Sequence, residues 1–282
     1  MSSDAQRNKA EAFQRMHRGG EILLLPNAWD AMSARIFEAD GYRAIATTSA
    51  GVSNALGWPD GEAVPRDEMI AAIGRIVRAV TAPVTADLES GFGATPGEVA
   101  ETVRMAIDAG AVGVNLEDTV HGAPRTLHEL PDAVARIAAA RRAADDAGLK
   151  IVINARTDVY LLGIGEKSGR FEHATRRLNA YRAAGADCLY AMGYFDAETI
   201  GRLVKTVAGP LNVMGLPGTP PVAELSRLGV ARVSTASGPA RLAMTALRKA
   251  SRALLETGDF GIFGGDDAIT HQEANALMTR GG

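Results

Sequence analysis

Asp87 and Glu89 stand at alternate positions in Val84-Thr85-Ala86-Asp87-Leu88-Glu89-Ser90-Gly91-Phe92-Gly93, where a β-branched run opens into a glycine-rich loop. Residues two apart on an extended strand share a face, so both carboxylates aim at one point. Converging carboxylates need a cation, a proton or an arginine to offset their repulsion. A metal site is one reading; capping of backbone amides at a strand-to-loop turn is the other.

The elements around this stretch repeat one pattern. Helical windows end in Glu38-Ala39-Asp40-Gly41, Asp108-Ala109-Gly110, Ala183-Ala184-Gly185 and Arg227-Leu228-Gly229, each followed within a few residues by a short apolar run. Gly at a helix C′ position before a buried strand is the αβ loop of a parallel sheet. The runs are 22–25, 44–48, 84–88, 112–116, 151–155, 188–192, 211–214 and 230–234, separated by helical windows near 66–80, 97–109, 132–147, 170–184, 196–207, 220–228 and 238–256. Eight near-continuous apolar strands alternating with helices predict an α/β fold of the closed (β/α)8 TIM-type barrel rather than an open doubly wound sheet. A polar helix over 4–18 ends at Gly19-Gly20. Residues 1–258 are expected to form the barrel domain with this N-terminal helix. Residues 259–282 form a connector and an extra helix, opened by the capping box Thr270-x-x-Glu273 and expected to pack on a neighbouring subunit.

Chemistry in such a barrel sits at the C-terminal strand ends. Those ends carry Asn27, Trp29 and Asp30; Thr48, Ser49, Ala50 and Gly51, then a loop with Trp58 and Asp60; Asp87 and Glu89; Asn115, Glu117 and Asp118; Asn154, Arg156 and Asp158; Tyr190, Met192 and Tyr194; Asn212 and Met214; and Ser234, Thr235 and Ser237. At least three carboxylates on neighbouring strands favour a divalent metal, and all-oxygen ligands favour Mg²⁺, with Mn²⁺ as the alternative, over zinc. Arg156 beside the acids matches an anionic substrate, or neutralises Glu89 or Glu117. Ser49-Ala50-Gly51 could present successive N–H groups to a carboxylate, or simply form a tight turn.

The composition narrows the alternatives. Over 282 residues, 46% are apolar and the formal charge is −3, so a large core forms and no nucleic-acid footprint is expected. The N-terminus lacks a signal-peptide core and no apolar stretch spans a bilayer, so a cytoplasmic protein without a membrane partner is expected. The single cysteine, Cys188, lies in an apolar run and reads as a buried small hydrophobe. Four of the five lysines fall on helices or at the wrong end of a strand, leaving only Lys167 in a loop. Schiff-base chemistry is therefore disfavoured.

Thr48-Ser49-Ala50-Gly51, Gly57-Trp58-Pro59-Asp60, Ala86-Asp87-Leu88-Glu89-Ser90-Gly91-Phe92-Gly93, Asn115-Leu116-Glu117-Asp118 and Asn154-Ala155-Arg156-Thr157-Asp158 occur in order. This set resembles the isocitrate lyase / phosphoenolpyruvate mutase superfamily over about 24–237. The resemblance implies a (β/α)8 barrel whose terminal helix is exchanged within a homodimer, usually in a homotetramer. It implies metal-site acids Asp60, Asp87, Glu89 and Glu117, with Asp87 the direct Mg²⁺ ligand. Ser49, Ala50 and Gly51 would hold a 2-oxo acid's carboxylate. Trp29 or Trp58 would line the pocket with Asn212, and Arg156 would stabilise negative charge. Mg²⁺ would act as Lewis acid for the enolate left when the bond to C3 breaks.

The sequence departs from the family in the loop Asp118–Glu129, which lacks the Lys-x-Cys-Gly-His of lyases acting on isocitrate and methylisocitrate. Those two activities are not expected. The loop is long enough for a lid, and His121, Arg125 or His128 could enter a closed site or stay solvated. The expected activity is Mg²⁺-dependent C–C cleavage in a small 2-oxo or 2-hydroxy dicarboxylate, oxaloacetate decarboxylation for example. Family members acting on phosphonopyruvate place a lysine and an asparagine in this loop, both absent here, so P–C chemistry with Arg125 replacing that lysine, and a non-catalytic 2-oxo-acid-binding barrel, are the alternatives.

Overall fold

The computed structural model describes residues 3–18, 20–122, 124–265 and 268–279. Gly19 of the expected helix-ending pair and Ala123 of the expected lid lie outside these residues. A single parallel sheet runs in the order β1 (Leu23–Leu25), β11 (Arg232–Ser234), β10 (Leu211–Met214), β9 (Cys188–Ala191), β8 (Val152–Thr157), β5 (Gly113–Glu117), β4 (Val84–Asp87), β3 (Ile45–Thr47), β2 (Asn27–Ala28). β1 and β2 are two halves of one strand interrupted at Pro26. The first half pairs with β11 and the second with β3, so the broken strand closes an eight-stranded barrel. Proline has no N–H for a ladder, which is why the pairing changes partner there. Pro26 O still accepts the Ala46 amide at 2.9 Å.

The expected helical windows appear as α2 (Ala31–Ala39), α4 (Arg66–Ala79), α5 (Pro96–Asp108), α6 (Leu130–Asp146), α7 (Arg170–Ala183), α8 (Ala197–Thr206), α9 (Val222–Leu228) and α10 (Gly238–Thr257). Two elements depart from the sequence expectation. Ser49–Ala55, expected as loop, forms the short helix α3, started by Thr48, whose hydroxyl accepts the Gly51 amide. In the lid region, β6 (Thr119–Val120) and β7 (Thr126–Leu127) pair as an antiparallel hairpin.

The N-terminal helix α1 (Asp4–Met16) closes the lower end of the barrel. Phe13 is fully buried, and a Cβ at Gly113 would lie 2.8 Å from its Cε1. Gly113 therefore lets the helix reach the barrel floor. Cys188 is buried there as a free thiol, pushed up to about 11 by desolvation.

The final helix α11 (His271–Met278) rests on α2 of the same chain, where Arg35 donates to Leu277 O at 2.6 Å and Thr279 O at 2.7 Å. Helix α10 is largely exposed. It buries only Ala240 and exposes Leu242, Met244, Leu247 and Leu255. Among the described residues, no helix is long and apolar enough to cross a membrane.

Candidate active site

Asp87, the last residue of β4, accepts three hydrogen bonds from two residues. Its Oδ2 accepts the Ser49 amide (2.9 Å) and hydroxyl (2.8 Å), and its Oδ1 accepts Asn115 Nδ2 (2.9 Å). Asn115 Oδ1 in turn accepts Asn154 Nδ2 at 2.7 Å. Asp87, Asn115 and Asn154 are register partners on β4, β5 and β8, so the ladder places the three side chains side by side inside the barrel. The start of α3 sets one wall, since its first amide points at the carboxylate.

Next to Asp87 is a cluster short of positive charge. Glu89 is 1% exposed; Oε2 accepts the Glu62 amide at 2.7 Å, while Oε1 has no partner. Burial, then the charges of Asp60, Asp87 and Glu117, pushes its carboxyl up to about 8. Burial likewise raises Glu117 to about 7, against the opposing pull of Arg156. Glu117 Oε2 meets Arg156 Nη1 at 2.8 Å, and its Oε1 lies 3.2 Å from His121 Nε2. Burial works against a proton on His121, but contact with Glu117 and the charges of Glu117, Glu89 and Glu62 more than offset it. Asp60 lies at the mouth. Desolvation and the charge of Asp87 hold it above the ordinary aspartate range, with Arg125, Arg156 and His121 opposing.

Arg156 is flanked by acids: besides Glu117, its Nε and Nη2 reach Asp158 Oδ1 and Oδ2 at 2.6 and 2.8 Å. The lid hairpin lies over the mouth. A Cβ at Gly61 would meet Arg125 Nη2 at 2.8 Å and His121 Nδ1 at 3.3 Å. His128 is tied instead to Asp132, at 2.9 Å. Below the rim is a cavity of about 30 Å³ lined by Asp87, Asn115, Arg156, Tyr190, Met192 and Arg232, among others.

The structure thus brings together Ser49, Asp60, Asp87, Glu89, Glu117, His121 and Arg156 around one opening. Ala50 is half-buried in the first turn of α3. Gly51 faces away, for its missing Cβ would lie 2.8 Å from Trp29 Cβ and 3.2 Å from Ala240 Cβ. Trp29 is half-buried against that turn, and Trp58 is 39% exposed on the loop after α3. Asn212 is buried inside the barrel, donating to Ser234 Oγ at 2.9 Å.

Asp118, expected among the rim acids, turns outward under α7. It accepts from Thr157, Tyr181, Arg177 and the Asp158 amide. Glu62 was not anticipated; its only sequence signal is a glutamate following Asp60-Gly61 in the mouth loop.

Among the described residues no three acids, histidines or cysteines form a ready-made metal cage. The donor set nonetheless fits a hydrated hard cation. It is all-oxygen, one buried carboxylate oxygen is orphaned, and burial together with the charges of neighbouring acids raises the proton affinity of Glu89. Mg²⁺ keeps several waters and needs only one or two direct carboxylates.

The model of the phosphoenolpyruvate phosphomutase family matches residues 13–255. A 2,3-dimethylmalate lyase of Eubacterium barkeri is 32% identical, covering 72% of this chain and 69% of its own. An oxaloacetate decarboxylase of Pseudomonas putida strain W619 is 29% identical, covering 79% and 72% respectively. The crystal structure of a provisionally assigned lyase/mutase from Burkholderia cenocepacia J2315 superposes with a TM-score of 0.91, at 40% identity over 99% of this chain and 98% of that one.

Proposed function

The chain belongs to the phosphoenolpyruvate phosphomutase family, within the isocitrate lyase / phosphoenolpyruvate mutase superfamily of C–C and P–C bond enzymes, and we propose that it is a divalent-metal-dependent lyase that decarboxylates oxaloacetate or a closely related dicarboxylate to pyruvate. The observation that carries this reading is the cluster of converging acids beside Asp87, with one Glu89 oxygen unpaired, joined to a lid without a cysteine. The oxaloacetate decarboxylase relative supports the substrate class.

Asp87 would hold Mg²⁺ directly, with Asp60, Glu89 and Glu117 contacting its waters. The bound ion supplies Lewis-acid stabilisation of negative charge on the 2-oxo oxygen. The chain's own groups do the rest. Ser49 donates its amide and hydroxyl to Asp87 and fixes the start of α3, so that the next first-turn amide, that of Ala50, would orient the C1 carboxylate. As the C3–C4 bond breaks, CO₂ leaves with C4 and the bonding pair enters the enolate at C2–C3. Arg156, already aligned by Glu117 and Asp158, faces that charge. A proton at C3 then gives pyruvate. His121, on the lid beside Glu117 and Glu89, would be the group positioned to deliver it.

Decarboxylation needs less of a dedicated acid than aldol-type cleavage, which fits the absent loop cysteine. The second reading is P–C chemistry on phosphonopyruvate. Arg125, against Gly61 at the mouth, is the observation that favours it. We also place the protein in a homo-oligomer, a dimer or tetramer, in which a second copy covers the apolar side chains of α10.

The test is pyruvate release from oxaloacetate, substituted malates and phosphonopyruvate, with Mg²⁺ and with EDTA. Metal-dependent pyruvate from oxaloacetate supports the reading. Phosphonate chemistry favours the second, and silence with retained oxalate binding favours a binding barrel.

A further inference from the structure

Among the described residues three arginines are less than a tenth exposed, and two of them are fully engaged. Arg136 bonds Asp132 and the carbonyls of Gly93 and Ala94; Arg177 bonds Asp118, Tyr181 and His128 O. Arg232 is 2% exposed, yet it makes no hydrogen bond or ion pair among the described residues, and its Nε and Nη1 are fully orphaned.

Its position explains what it faces. Arg232 opens β11 opposite Asn212 on β10, and both side chains project into the barrel. The long side chain carries the charge into the cavity that also contains Asp87, Asn115 and Arg156. Asn212 Oδ1, Asn154 Oδ1 and Thr85 Oγ1, other polar atoms of the barrel interior, also lack partners. A buried guanidinium with no direct ion pair, and only the charge of Asp87 across the cavity to offset it, is unfavourable, and its planar fork is matched by a carboxylate. Arg156 cannot play this part unaided, because Glu117 and Asp158 already offset its charge. The cavity of about 30 Å³ has room for one carboxylate group or a pair of waters.

We propose that Arg232 is a specificity-determining residue that receives the distal carboxylate of the substrate at the cavity floor. This rests on the reading of the substrate as a dicarboxylate, and it makes the barrel floor, rather than the lid alone, the reader of the second acid group.

The experiment compares binding of malate with that of 2-hydroxybutyrate, which replaces the distal carboxylate by methyl, to the full-length protein with Mg²⁺ by calorimetry. The wild type is expected to prefer malate by roughly tenfold or more. In Arg232→Met the preference collapses to about twofold or less, while 2-hydroxybutyrate affinity is unchanged. Arg232→Lys, keeping charge without the fork, falls between. Arg232→Met is expected to fold, since it leaves no partner unpaired, and thermal unfolding checks this. An unchanged preference in Arg232→Met, an equal loss for both ligands, or no wild-type preference overturns the inference. Oxaloacetate turnover, scored separately, keeps the two readings apart. Turnover with an indifferent Arg232 sinks only this inference, whereas Arg232-dependent malate binding without turnover sinks only the decarboxylase.

Discussion

Glu62 and Glu89 fasten two loops of the site to each other reciprocally. Glu89 Oε2 accepts the Glu62 amide at 2.7 Å. Glu62 Oε1 accepts the Ser90 amide (3.1 Å), the Ser90 hydroxyl (2.7 Å) and the Phe92 amide (2.8 Å). Glu62, Glu89 and Phe92 adopt φ values of 57°, 51° and 52°, a left-handed conformation that side chains other than glycine rarely take. Such strain persists where the surroundings over-determine it, and here the crossed hydrogen bonds do so.

Glu62→Ala should therefore leave two amides and a hydroxyl unpaired and cost about 2–3 kcal/mol. Glu62→Gln, which keeps an acceptor, should cost about half as much. Urea unfolding of both variants checks this. Equal stability of Glu62→Ala and wild type would remove the lock.

Gly51 lets α3 approach Trp29 and α10. A methyl there would lie 2.6 Å from Thr48 Cγ2 and 2.8 Å from Trp29 Cβ. Gly51→Ala should destabilise by about 1–3 kcal/mol through overpacking, despite the better helix propensity of alanine. A thermal midpoint at or above wild type would contradict the contact.

His17 gives the stability a pH dependence. It is buried at the barrel floor, and desolvation, then the charge of Arg232, lowers its pKa from 6.5 to about 4. The unfolded chain then binds a proton that the folded one refuses. This contribution is neutral above pH 6.5 and destabilises progressively as pH falls towards about 4, reaching about 3 kcal/mol. His17→Gln should flatten that part of the stability profile between pH 6.5 and 4. An unchanged slope in chemical denaturation would show that His17 titrates normally.

The barrel was legible in the sequence because its signals are local: glycine at helix ends, then short apolar runs. Asp87 was legible as a strand-end acid, but Glu89 reaches the site by another route than the expected alternation, since β4 ends at Asp87 and Glu89 sits in the turn with a φ of 51°. Alternation does explain the misplacement of Asp118. Asn115 and Glu117 point inward on β5, so Asp118 points out, where Arg177 and Tyr181 receive it. Helix α3 escaped because its serines, glycine and asparagine are weak helix formers, and the helix is held by the Thr48 cap and by packing. Glu62 and Arg232 escaped for another reason. Their roles depend on partners, present or missing, that only the folded chain brings near.

Asp87 is proposed as the metal-holding carboxylate of a decarboxylase. The decisive measurement is the steady-state rate of pyruvate release from oxaloacetate, corrected for the metal-only background, in wild type and Asp87→Ala at saturating Mg²⁺. The predicted result is a loss of about 10²- to 10³-fold with an intact fold by circular dichroism, and loss of the wild-type rate in EDTA. Wild-type catalysis that persists in Asp87→Ala, or that ignores EDTA, would contradict it.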